Sequence, residues 1–152
     1  MSDLLMKMPV PYEPKMKNRW LIKFKGNYKG IQPWLVSKTS RPKWRFYDDI
    51  KNLNNANSFD YEGSWDDIEI YLRDSVHTSN SKILMNAIRL VGKGKNKIKY
   101  NLELLDNTGV TIEKWRINGK VKEFNFGDLD YSDDSLVEIK MVIKPTKVKL
   151  DY

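Results

Sequence analysis

Apolar and polar residues alternate along several short stretches of this 152-residue chain. Between positions 98 and 105, every second residue is large and apolar: Ile98, Tyr100, Leu102 and Leu104. Such alternation buries one face of a β-strand and leaves the other face polar, as in an antiparallel sheet that covers a core on one side. The pattern therefore predicts a mainly β protein.

The same criterion predicts about eight strands, separated by turn residues. They cover positions 19–25, 31–38, 43–47, 66–73, 98–105, 110–118, 121–126, 136–144 and 147–151. The Asn118-Gly119 dipeptide between two apolar runs favours a β-hairpin turn. The apolar positions change parity near 112–115 and again near 121–124, which indicates β-bulges. We expect two packed antiparallel sheets that form a β-barrel or tight sandwich.

One amphipathic helix is predicted over 79–91. Its apolar residues recur at spacings of three and four: Ile83, Leu84, Ala87, Ile88 and Val91. Residues 78–80 offer side chains for the N-cap, and Gly92 suits the position after the last turn. The apolar stripe must cover a sheet, so the helix should flank the barrel on its outside.

Length and composition fit one domain. The three prolines at 9, 11 and 14 favour an extended N-terminal arm over 1–17. Residues 18–152 are then a single β-barrel domain, with a long Asn-rich loop at 48–63. The N-terminus is too interrupted by Lys and Pro for a signal peptide or membrane anchor, so we expect a soluble protein.

Charge is distributed unevenly along the chain. Residues 7–45 contain eleven Lys or Arg and one acid, whereas 123–138 contain six carboxylates and no base. Opposite charges at two poles suit contact between identical copies, although both poles could instead pair within one subunit or face water. The ring or stacking candidates are Tyr12, Lys15, Lys17, Arg41, Lys43 and Trp44 on the basic side, and Asp128, Asp130, Asp133 and Asp134 on the acidic side.

Residues typical of catalysis or metal binding are sparse. The chain has no Cys and a single histidine, His77, with no second His to complete a site. The acidic stretch does not match a calcium-binding loop, because Asp133 and Ile139 stand where Gly and Glu are required. We predict no catalytic, cofactor or metal site, and hence no enzyme.

The net charge of +7 and the five tryptophans also permit a nucleic-acid interpretation. Basic aromatic strands on a small barrel could stack single-stranded bases, as in an OB-like module. Most of the tryptophans, however, fall at inward or strand-edge positions, where large aromatics fill cores or subunit contacts.

Seven segments in order along the chain resemble bacteriophage tail tube proteins of contractile tails. These segments are PYEP at 11–14, NRWLIKF at 18–24, GIQPWLV at 30–36, SRPKW at 40–44, WDDIEI at 65–70, DNTGV at 106–110 and NFGDLDY at 125–131. The resemblance implies a two-sheet β-barrel with a flanking helix, related to the tube subunits of type VI secretion and pyocin-like particles. Such subunits form hexameric rings that stack into a hollow tube inside a sheath.

The resemblance implies a structural virion protein that conducts DNA and is driven through the host envelope when the sheath contracts. Its partners would be further copies of itself, the tail sheath protein, baseplate and tail terminator proteins, and, in the lumen, the tape measure protein and passing DNA. It would reside in the phage tail, and in the host cytoplasm during assembly. Two alternatives remain open, a tube-like baseplate initiator or cap and the OB-like module.

A ring of joined sheets would have one strand face on the core and the other on the channel. The lumen candidates are therefore the polar residues of three strands: Asp67, Glu69, Lys99, Asn101, Glu103, Glu138 and Lys140. The polar strip of the helix gives the sheath-facing candidates: Lys82, Asn86 and Arg89.

Overall fold

The computed structural model describes residues 13–47, 62–77, 79–90 and 96–152. In these ranges the chain forms eight strands and one helix. In chain order these are β1 (Trp20–Lys25), β2 (Val36–Lys38), β3 (Trp44–Phe46), β4 (Gly63–Trp65), β5 (Ile68–Arg73), α1 (Asn80–Leu90), β6 (Lys97–Leu105), β7 (Thr111–Asn125) and β8 (Glu138–Leu150). Two 3₁₀ turns, Gly26–Tyr28 and Pro33–Leu35, lie between β1 and β2.

Six strands form one antiparallel sheet in the order β1-β6-β7-β8-β5-β2, which curls into a nearly closed barrel. Strands β1 and β2 are its two edges and are not paired with each other. Strands β3 and β4 form a separate two-stranded sheet in which Trp44 faces Trp65. The predicted mainly β fold with a barrel and a flanking helix is confirmed.

The inward faces of the barrel strands form one core, as the alternation predicted. Its buried residues on β1, β5, β6 and β8 are Ile22, Phe24, Ile68, Ile70, Leu72, Ile98, Tyr100, Leu102, Leu104, Ile139, Met141 and Ile143. From α1, Leu84 and Ala87 are fully buried in the same core. Ile88 is 38% exposed, so the apolar stripe is narrower than predicted, and Val91 lies outside the described residues.

The start of α1 is held by two side chains. The backbone N–H of Lys82 donates to Ser79 Oγ at 3.3 Å, the bond expected of an N-cap serine. The carboxylate of Asp74 accepts from the backbone N–H of Asn80 at 2.8 Å and from the hydroxyl of Ser81 at 2.5 Å. The N-cap prediction is confirmed at Ser79, while Thr78 and Gly92 lie outside the described residues.

The hairpin predicted at Asn118-Gly119 is wrong, because β7 runs unbroken through both residues. Gly119 instead lies where β8 approaches closely: a Cβ on Gly119 would lie 2.6 Å from the carbonyl oxygen of Lys144. The register also shifts between Asn118 and Gly119, with Pro145 opposite Gly119. The glycine therefore permits a close strand contact instead of a turn.

Three other boundaries differ from the prediction. Strand β8 continues through Pro145, so the two strands expected at 136–144 and 147–151 are one. Of the strand expected at 31–38, only Val36–Lys38 is extended, because a 3₁₀ turn with Pro33 in its first position precedes it. Gly63 belongs to β4 and not to a loop, and residues 48–61 lie outside the described residues.

Both predicted bulges are present. Between β6 and β7 the pairing passes from Leu104 with Glu113 to Leu105 with Thr111, which leaves Ile112 unpaired on that side. Between β7 and β8 the register shifts again after Val121. Each shift lies where the apolar pattern changes parity, because an extra residue turns the following side chains to the opposite face.

Candidate subunit interface

A buried carboxylate, Glu113, connects three parts of the chain. Its side chain is 6% exposed and accepts hydrogen bonds from Lys15 Nζ at 2.7 Å and from Trp115 Nε1 at 2.8 Å. Arg41 Nη1 lies 3.4 Å from both carboxylate oxygens. Glu113 therefore binds the end of the predicted arm and the β2–β3 connection to β7.

The surroundings of Glu113 favour its charged form. Burial alone would raise the pKa of this carboxyl, but hydrogen bonds from Lys15 and Trp115, with the charges of Lys15 and Arg41, outweigh it and hold the pKa below the ordinary value. Lys15 and Arg41 were predicted as contacts between subunits, and within one subunit both bind Glu113. Sequence reasoning missed Glu113; its inward parity with Trp115 and Ile117 was the available signal.

A groove of about 460 Å³ lies between the two unpaired sheet edges, and we call it the edge groove. Trp20 on β1 and Leu102 and Leu104 on β6 give it an apolar lining. Its polar residues come from the segment before β1 and from β2 and the residues after it: Lys15, Lys17, Ser37, Lys38, Thr39, Ser40 and Arg41. The groove is thus a basic opening in the barrel wall that leads to apolar side chains.

Residues 127–137, which we call the acidic segment, project from the barrel between β7 and β8. Their fold is set by local bonds: Asp130 Oδ1 accepts from the N–H of Ser132, and Asp133 Oδ1 from the N–H of Ser135. These bonds to the ionised form lower the pKa of both aspartates. Gly127 has a φ of 93°, and a Cβ there would meet the carbonyl oxygen of Glu138.

The other predicted contact residues have separate environments. Lys43 lies 3.8 Å from Asp66, and Trp44 stacks edge-on against Trp65 with ring centroids 5.1 Å apart. Lys17 is exposed on the wall of the edge groove. Tyr12 lies outside the described residues. The four acidic candidates, Asp128, Asp130, Asp133 and Asp134, are all exposed on the acidic segment.

Two of the lumen candidates form ion pairs on one outer face of the sheet. Lys140 Nζ lies 3.2 Å from Glu69, and Lys122 Nζ lies 2.7 Å from Asp67. A hydrogen bond from Tyr71, followed by one from Lys140, lowers the pKa of Glu69. This face therefore alternates in sign and is partly self-neutralised.

Asn101 and Glu103 differ from the other lumen candidates because both are buried in the subunit. Lys23 Nζ lies 3.2 Å from Glu103 and covers it. Lys99 and Glu138 are exposed. Five of the seven lumen candidates thus reach the surface of a single subunit.

The helix brings the three sheath-facing candidates together. Lys82, Asn86 and Arg89 are exposed and line one shallow surface of α1 with Ser81 and Met85. The buried residues Leu84 and Ala87 lie on the opposite side of the helix.

Among the described residues, no group of three or more His, Asp or Glu side chains could hold a metal ion. The side chain of His77 is exposed. No helix in the described ranges is long and apolar enough to cross a membrane.

No family model and no curated protein matches the sequence. Solved structures match the fold along nearly its whole length. A chain from the sheath/tube terminator of an extracellular contractile injection system, PVC, in the extended state, aligns with a TM-score of 0.65 at 11% identity over 93% of this chain and 99% of that one. This chain has the fold of contractile injection system proteins.

Two further structures support that assignment. A chain from the anti-feeding prophage tube terminating cap aligns with a TM-score of 0.60 at 13% identity, over 95% of both chains. A chain from the PVC sheath-tube complex in the extended state aligns with a TM-score of 0.58 at 12% identity, over 99% of this chain and 96% of that one. The resemblance to contractile-tail proteins is therefore confirmed for the fold.

Proposed function

We propose that this chain is the structural subunit of a hollow contractile-tail tube built from stacked hexameric rings. The observation that carries the proposal is the alignment of the whole chain with chains of contractile injection systems, including one from a sheath-tube complex. The alignments leave almost no unmatched segment on either side, so the same single domain accounts for both proteins.

The sheet edges support assembly into a ring. Strands β1 and β2 leave unpaired backbone groups at the opening of the barrel, and such edges attract strands from other chains. A closed ring needs two different surfaces of one subunit to meet, and ring stacking needs a second such pair. Joining sheets between neighbours would cover the edges and line a channel.

The proposed tube acts by position and mechanical strength and makes no chemical bond. Strand faces with alternating charge, such as that of Glu69 and Lys140, would let DNA pass without tight binding, because attraction to phosphates grows with each unopposed Lys or Arg. The proposed lumen residues of a single subunit are Asp67, Glu69, Lys99, Glu138 and Lys140, with Asn101 and Glu103 buried behind them.

The proposed partners follow from the same assembly. The tube would bind the tail sheath protein outside, baseplate and terminator proteins at its ends, and the tape measure protein and DNA inside. It would occur in the phage tail, and in the host cytoplasm during assembly.

A second candidate function is a cap, terminator or baseplate initiator at a tube end. It is favoured by the alignments with the sheath/tube terminator and with the tube terminating cap. A tube subunit forms long stacks of rings, whereas an end protein forms one ring or a short stack.

Negative-stain electron microscopy of the purified protein over a range of concentrations distinguishes these functions. We expect hexameric rings that lengthen into tubes as concentration rises. Single rings that never stack would favour the end protein. A monomer that binds single-stranded DNA with steep salt dependence would favour the OB-like module and contradict the tube proposal.

A further inference from the structure

The edge groove lacks a partner within the subunit. It exposes Trp20, Leu102 and Leu104 at an opening that the barrel strands do not close, and none of its lining residues belongs to the acidic segment. Its basic wall has two cations free of Glu113, since Lys17 and Lys38 form no ion pair among the described residues. An occupant should therefore combine apolar side chains with negative charge.

The acidic segment has that chemistry and also lacks a partner. Leu129 is 85% exposed, Leu136 is 67% exposed and Tyr131 is fully exposed. Among the described residues, no Lys or Arg forms an ion pair with Asp128 or Asp134. A segment that is braced by its own turns yet leaves three large apolar groups in water is shaped to bind another surface.

We propose that the acidic segment of one subunit binds in the edge groove of a second copy of this chain. This inference rests on the proposed function and names one of its subunit contacts. Leu129, Tyr131 or Leu136 would pack on the apolar lining, and Asp128 and Asp134 would face Lys17 and Lys38. The contact joins two different surfaces and so propagates from copy to copy.

The structure separates this contact from folding. Lys15 and Arg41 stabilise Glu113, whereas Lys17 and Lys38 do not touch it. On the acidic segment, Asp130 and Asp133 hold the turns, whereas Asp128 and Asp134 take no part in those bonds. Charges can thus be reversed on each surface without disturbing the bonds that shape it.

Charge reversal and its repair form the first test. Lys17→Glu with Lys38→Glu makes the groove acidic, and Asp128→Lys with Asp134→Lys makes the segment basic. Each double variant should assemble at least tenfold less well than wild type by sedimentation velocity and electron microscopy. The quadruple variant, and an equimolar mixture of the two doubles, should regain assembly because opposite charges again face each other.

The matched control is Lys82→Glu with Arg89→Glu, which changes net charge as much as the groove variant but lies on α1. It should assemble like wild type. If wild-type protein forms rings and both test variants form them equally well, or if neither the quadruple variant nor the mixture recovers, the docking contact is overturned while the tube proposal stands.

A labelled peptide of residues 126–138 gives a second readout that needs no assembly. By fluorescence anisotropy with protein kept below its assembly concentration, the peptide should bind wild type and lose at least tenfold in affinity on the acidic-groove variant. A peptide with Leu129, Tyr131 and Leu136 replaced by Ser should not bind. Peptide binding by a wild-type protein that forms no rings would uphold the contact and overturn the tube proposal; no binding to that monomer would overturn both.

Discussion

Glu113 and the aspartates of the acidic segment show how neighbours decide the role of a carboxylate. Asp130 and Asp133 each bind a nearby serine and face water, so they shape only their own turn. Glu113 is buried and binds groups from distant parts of the sequence, including Lys15. Removing a partner from a buried charge costs more than removing a surface ion pair, so Glu113 matters to the stability of the subunit.

We expect Glu113→Gln to lower the free energy of unfolding at pH 7 by about 1–3 kcal/mol, because hydrogen bonds to a charged group are lost. The folded pKa of Glu113 lies below the ordinary value of 4.5, so its stabilisation is complete above pH 4.5 and is lost as pH falls through the folded pKa. Urea denaturation from pH 7 to pH 3 should show the difference from wild type shrinking at acid pH.

The control for that series is Glu123→Gln, which changes the same chemical group at an exposed position. It should alter stability by less than about 0.5 kcal/mol. A Glu113→Gln penalty as large at pH 3 as at pH 7 would mean that the ionised carboxylate is not what stabilises the fold.

Strand β7 shows which features of an element are local and which depend on its neighbours. Its parity changes at the two bulges could be predicted, because each follows from which residues are apolar. The continuity of the strand at Asn118-Gly119 could not, because it depends on the approach of Lys144 from β8. Residue preferences describe a segment in isolation, and strand pairing overrides them.

Gly119→Ala should destabilise the fold by about 1–3 kcal/mol, because the new Cβ would meet the carbonyl oxygen of Lys144 at 2.6 Å and Ile143 Cγ2 at 2.8 Å. Thermal and urea unfolding measure the loss. Gly30→Ala is the matched control, since its Cβ would meet only the movable side chain of Ile83, at 3.2 Å. Equal stability of the two variants would refute the close contact at Gly119.

The helix gives a prediction about the outer surface of the tube. Lys82 and Arg89 lie opposite the buried Leu84, so Lys82→Glu with Arg89→Glu should leave folding and tube formation intact. If this strip binds the sheath, sheath assembly on the variant tube should fall several-fold in a co-assembly assay scored by electron microscopy. Equal assembly on both tubes would show that the strip is only solvated.

At the scale of the whole molecule, the charge poles are only partly free. Lys15 and Arg41 of the basic stretch bind Glu113 within the subunit, whereas Lys17 and the acidic segment keep their charge exposed. The uneven charge could be read from the sequence, but its division between internal and external contacts could not, because Glu113 is distant in sequence from both cations. The site predictions were therefore correct about exposed acids and incomplete about the bases.

The arm was predicted to lack partners within the subunit, and for residues 13–15 this is wrong. Glu13 Oε1 accepts from the backbone N–H of Asn107 at 3.2 Å, and Lys15 binds Glu113. Residues 1–12 lie outside the described residues. Truncation can therefore separate the two proposed roles of residues 1–17, since the end of the stretch contacts the barrel.

We expect removal of residues 1–12 to leave the unfolding free energy unchanged within about 0.5 kcal/mol, because Glu13 and Lys15 keep their contacts. Removal of 1–17 should cost about 1–3 kcal/mol, since Glu113 loses its shortest charged hydrogen bond. If the arm also drives stacking, the shorter truncation should form fewer and shorter tubes by electron microscopy at wild-type stability. Normal tubes from both truncations would rule out a role of the arm in assembly, and impaired tubes only from the longer one would assign the effect to the Lys15 contact.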